Sequence, residues 1–132
     1  MATIKNCTDL EQSKKLSEFL PLENADIYYF LDPTPVGNIY HLIVQRVDIG
    51  IKNIPHYDEG DIPCWSLSAL LDVIPKHIKE YNVLRIDISN DFAIWYDEIG
   101  YGVNNDLPDI TMKSAVDACY EMIIRLNELN LL

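Results

Sequence analysis

Two runs of alternating residues, Val83–Ser89 and Phe92–Asp97, leave this chain little freedom near its C-terminal third. Side chains of a strand point alternately to opposite faces, so Leu84, Ile86 and Ile88 share one face while Arg85 and Asp87 share the other. The connection is short enough to demand an antiparallel hairpin. Its register decides what is exposed, because a slip of one residue turns a whole strand over. A two-residue loop at 90–91 sets Ile86 opposite Trp95 and leaves Phe92, Ile94 and Tyr96 beside Arg85. A three-residue loop at 89–91 gathers Phe92, Ile94 and Tyr96 with Leu84, Ile86 and Ile88. The second keeps the apolar side chains together and is the predicted register. It puts Trp95 on the outer face with Arg85 and Asp87.

An apolar sheet face needs a cover, and the sequence offers three helices. Thr8-Asp-Leu-Glu11 reads as a capping box, opening a helix that runs to about Leu20 before Pro21. Ser66 is the predicted N-cap of a central helix. Trp65 and Leu70 stand at the spacing of a hydrophobic staple, and Pro75 ends the helix near Ile74. Lys76–Tyr81 reads as a turn or a frayed extension. The last helix starts at Thr111 or Ser114 and reaches about Leu129, with Ala115, Cys119, Met122, Leu126 and Leu129 on one stripe. Such a stripe packs a core, and its step pattern also suits a seam shared with a second subunit.

A first hairpin is predicted from Ile27–Leu31 and Ile39–Val47, joined by the loop at 32–37. Residues 48–62 and 98–109 read as irregular, with Gly50 marking a bulge in a strand that runs on to Asn53. The expected architecture is therefore α+β: helix, hairpin, helix, hairpin, helix. It forms one four-stranded antiparallel sheet with the helices on one face, as a single domain over residues 1–132.

A chain of 132 residues can bury a core without disulfides or metal. Its net charge of −11 comes from acids spread along the whole chain. That field repels nucleic acid and anionic lipid and favours a basic protein partner. Cys7, Cys64 and Cys119 are far apart and odd in number, which fits reduced, buried thiols. There is no apolar leader and no run long enough to span a membrane, so the expectation is a cytoplasmic protein.

Three stretches carry a resemblance: Cys7–Asp26, Ile62–Pro75 and Ser114–Leu132. Together they resemble short uncharacterised proteins encoded on prophages and mobile elements of gut Bacteroides-type bacteria. The resemblance implies an intracellular protein of an accessory genetic element. It supplies no activity and no catalytic residues.

His56, Asp58, Glu59 and Asp61 form the one candidate metal cluster, next to Cys64. Their spacing matches neither an EF-hand loop nor a paired-ligand zinc site, and a solvated acidic loop accounts for them. No phosphate-cradling glycine loop and no nucleophile elbow is present. No cofactor is implied. Cysteines and histidines to build a Cys–His pair exist, but no signature assembles them. Trp95 and Arg85, with Tyr28 and Phe30 of the first hairpin, are the candidate interaction surface, since aromatics and arginine dominate interface hot spots. The leading expectation is a non-enzymatic protein-interaction module that self-associates, a homodimer being the simplest form. An acidic nucleic-acid mimic that blocks a DNA-binding protein is the alternative. A metal-dependent or Cys–His hydrolase using residues 48–62 is the third.

Overall fold

The structure, a computed structural model, describes residues 5–44, 61–79, 82–98 and 107–132. The chain divides into two compact units, Cys7–Ala69 on one hand and Met1–Asn6 with Leu70–Leu132 on the other. The class is α+β, as expected. Instead of one four-stranded sheet, the described residues form two antiparallel sheets, of three and four strands. The helix–hairpin alternation gives way as well, because strands form where the sequence suggested only loops.

In the first unit, α1 (Leu10–Ser17) is followed by a 3-10 turn (Leu22–Asn24), β1 (Ile27–Thr34), β2 (Gly37–Val44) and β3 (Ile62–Cys64). The sheet order is β2-β1-β3. The six-residue loop expected at 32–37 is a tight turn at Pro35-Val36, with Thr34 paired to Gly37. Gly37 takes φ +134, a conformation that side chains resist, and this lets the strands close so early. Pro33 continues β1 because it lies beyond Ile27–Tyr29, the residues paired with β3, so its missing N–H costs no bond on that side. Strand β3 was hidden by Pro63, which pairs with Tyr28 at a short strand's middle. The expected second strand, Ile39–Val47, begins earlier, at Gly37, and its last three residues fall outside the described ones, as do Gly50 and Asn53.

The first cap also moves by one residue. Asp9, not Thr8, is the N-cap of α1. Its carboxylate accepts from the Gln12 N–H at 2.8 Å, and Gln12 returns to the Asp9 N–H at 3.1 Å. Thr8 is unavailable for capping because it is drawn into an extended pairing. Cys7 bridges Ser66, and the Thr8 N–H donates to the Trp65 carbonyl at 2.9 Å.

Helix α2 (Leu67–Val73) is capped as predicted, the Ser66 hydroxyl accepting from the Ala69 N–H at 3.2 Å. Asp26 reinforces the cap from elsewhere in the first unit. Its carboxylate accepts from the Ser66 N–H at 2.9 Å and from the Ser66 hydroxyl. Trp65 and Leu70, the predicted staple pair, are both fully buried.

The second unit holds β4 (His77–Ile78), β5 (Asn82–Asp87), β6 (Phe92–Glu98), β7 (Asp109–Met112) and α3 (Ala115–Glu128), with sheet order β4-β5-β6-β7. The central hairpin adopts the predicted register, Arg85 opposite Trp95, Ile86 opposite Ile94 and Leu84 opposite Tyr96. Two strands were missed. Lys76–Tyr81 contains β4, where two residues suffice to pair with Val83 and Asn82. Thr111 lies in β7 rather than α3, and Ser114 is the N-cap, its hydroxyl accepting from the Asp117 N–H at 3.2 Å. Val116, Cys119, Met122, Ile123 and Leu126 of α3 are fully buried, along with Ile94 of β6. At roughly 1.5–3 kcal/mol for each large apolar side chain, this layer is a main stabilising element of the unit.

One apolar row departs from expectation. Helix α3 lies over β6 and β7. At the far flank Ile86 stays 43% exposed and Ile88 73% exposed, although both belong to the face of the buried Ile94.

Candidate functional site

The β5–β6 ladder positions the candidate surface. On its outer face Arg85 and Trp95 are directly opposite, and Asp109 of β7 is opposite Trp95 on the other side. Arg85 Nε stands 3.5 Å from an Asp97 carboxylate oxygen, both side chains half-exposed, so this pair is worth at most about 1 kcal/mol. Trp95 is partly covered. The opposite face carries what the sequence reading assigned to the core: Ile86 and Ile88, with Met112 37% exposed across the neighbouring strand from Phe92. The signal that finds this row is the helix cover, which alternation alone does not reveal.

Tyr28 and Phe30 belong to the other sheet and are not brought together with Arg85 and Trp95 by any ladder. Tyr28 is buried, and burial, then the nearby Asp61 charge, pushes its hydroxyl pKa up. Phe30 stacks on His41, ring centroids 6.4 Å apart, and His41 Nε2 lies 3.2 Å from an Asp32 oxygen on the exposed side of the hairpin.

His56, Asp58 and Glu59 lie outside the described residues. Asp61 has a structural task, since its carboxylate accepts from the Leu31 N–H at 3.0 Å. Among the described residues no three His, Cys, Asp or Glu side chains gather as metal ligands. No helix among them is long and apolar enough to cross a membrane.

The first unit also contains a polar cluster that no motif announced. Thr8 is completely buried at its centre. Its hydroxyl accepts from the Trp65 N–H at 3.1 Å and stands 2.8 Å from Ser13 Oγ and 3.4 Å from Cys64 Sγ. Its carbonyl accepts from the Tyr29 hydroxyl at 2.9 Å and from the Cys64 thiol at 3.2 Å. Burial, followed by the proximity of Cys64 and Cys7, pushes the Tyr29 hydroxyl pKa well up. Burial dominates at Cys64 too and raises its thiol pKa against the opposing hydrogen bond from Thr8. Cys119 is pushed up to about 12 by burial, with Lys76 pulling weakly the other way. Neither buried thiol is ionised near neutral pH, so neither has the thiolate that a Cys–His nucleophile requires.

Comparison with protein-family models, with curated proteins and with solved structures returns no match.

Proposed function

We propose that the chain is a small protein-interaction module without chemistry of its own, and that it self-associates. The observation that supports this most directly is the bare apolar row of Ile86, Ile88 and Met112 on a chain of net charge −11. On so acidic a surface, an uncovered apolar strip at a sheet flank is a costly feature unless a partner covers it. Arg85 and Trp95 on the other face of the same strands supply the residue types that anchor interfaces. In this reading the protein serves an accessory genetic element of a Bacteroides-type bacterium, and acts in the cytoplasm by binding another protein, a second copy first.

Sedimentation velocity over a micromolar-to-millimolar series, at low and high salt, tests it. Two copies of this charge repel each other, so added salt strengthens a dimer held by apolar contact. Ile88→Lys weakens association about tenfold or more. A chain that stays monomeric throughout, and whose Ile88→Lys and Trp95→Ala variants capture the same host proteins as the wild type, refutes the reading.

A further inference from the structure

The segment that enters the first unit and the segment that leaves it lie side by side. Cys7 pairs with Ser66, and Cys64 stands two residues back along the same extended strand, on the side that Ser66 shares. Thr8, immediately after Cys7, holds the Cys64 sulfur from two directions, with its hydroxyl at 3.4 Å and its carbonyl at 3.2 Å. The Cys7 thiol itself lies within hydrogen-bonding reach of the Cys64 thiol. One partner is completely buried while Cys7 is half-exposed, and both are free thiols.

We infer that Cys7 and Cys64 form an oxidisable pair, which a hydroperoxide converts into a disulfide that staples the first unit shut. Cys7 is the sulfur that an oxidant reaches. Its thiolate attacks a peroxide oxygen, the O–O bond breaks, and with hydrogen peroxide one water leaves after protonation, giving the sulfenic acid of Cys7. The Cys64 sulfur then attacks the Cys7 sulfur. The S–O bond breaks, a second water leaves with the Cys64 proton, and the S–S bond forms. The pair of thiols has lost two electrons and the peroxide has gained them. A small dithiol reverses the step by exchange. Burial keeps Cys64 a neutral thiol until Cys7 has been oxidised, so the order of events is set by access. Cys119, inside the helical layer of the other unit, takes no part.

The disulfide closes a loop running from one end of the first unit to the other. Chain-entropy reasoning for a loop of roughly 60 residues lowers the unfolding constant of that unit about 10³-fold. The cross-link also forms directly beside Trp65, giving it a fluorescence readout, since disulfides quench indole emission.

The test uses the full, reduced chain treated with hydrogen peroxide, blocked with an alkylating agent and mapped by mass spectrometry without reduction. The expected result is a peptide joining Cys7 to Cys64, with Cys119 alkylated only after unfolding. The Cys64→Ala variant instead holds Cys7 as a sulfenic acid that dimedone traps, and Cys7→Ser leaves Cys64 as a thiol. The oxidised wild type resists protease at least tenfold longer within residues 7–69, and dithiothreitol abolishes the protection. The inference is overturned if wild-type Cys7 ends as a stable sulfenic or sulfinic acid beside a free Cys64. It is equally overturned if the bonds formed join Cys7 to Cys119 or to Cys7 of another copy.

Discussion

Replacing Thr8 by Val removes a hydroxyl and little else, since the two side chains share shape and β-branching. Thr8 is 0% exposed, and its hydroxyl is the acceptor for the Trp65 N–H at 3.1 Å and the 2.8 Å neighbour of Ser13 Oγ. In the variant the Trp65 amide is left without that acceptor, at about 1–3 kcal/mol for a buried donor. Ser13 keeps only a long 3.5 Å contact to the carbonyl of residue 8, and Cys64 loses one of two oxygens. The combined loss is about 2–3 kcal/mol. Urea titration followed by tryptophan fluorescence reads this as a midpoint lowered by about 1–2 M at unchanged slope. Thr8→Ser keeps the hydroxyl and gives up one methyl, about 1 kcal/mol. The reasoning fails if Val lies within about 0.5 kcal/mol of wild type, or if Ser costs more than Val.

Other consequences follow from the same geometry. Asp61→Ala strands the Leu31 N–H and lowers stability by about 1–2 kcal/mol, while Asp61→Asn, which keeps an oxygen there, costs less; thermal unfolding of the two ranks them. Ser66→Ala costs about 1 kcal/mol as a lost helix cap, and a double-mutant cycle with Asp26→Ala in urea gives a coupling energy because the two groups share one site. Stability falls as pH rises above the unfolded thiol value of 9.0, because Cys119 stays protonated when folded until about 12 and so binds more protons folded than unfolded. The contribution is fully present below 9.0, and urea midpoints at pH 8, 9 and 10 show a shallower decline in Cys119→Ala.

What the sequence revealed is the local chemistry. The hairpin register at Arg85–Trp95 follows from matching two apolar rows. The Ser66 cap and the buried stripe of α3 follow from spacing alone. Contacts between distant segments were not legible. Pro63 argues against a strand when read locally, yet it pairs with Tyr28 because β3 is short and only the first part of β1 needs it. Thr8 looks like a cap because the pattern Thr-x-x-Glu is present, and it loses that role to a pairing partner 57 positions away. Ile86 and Ile88 alternate as core residues do, but alternation says nothing about where a helical layer stops. The two sheets were merged into one because residue patterns give strands and not their neighbours. The thiol pair was invisible for the same reason.

The clasp between Thr8 and Trp65 has a kinetic side. The bond from the Thr8 N–H to the Trp65 carbonyl joins the two ends of the first unit. Everything between them must be gathered before that bond can form, so the cluster around Thr8 carries the largest loop-closure entropy of that unit. Its interactions belong to the late part of folding. Mutations there speed unfolding more than they slow folding, whereas changes in the β1–β2 turn, whose partners are adjacent in sequence, act mainly on the folding rate.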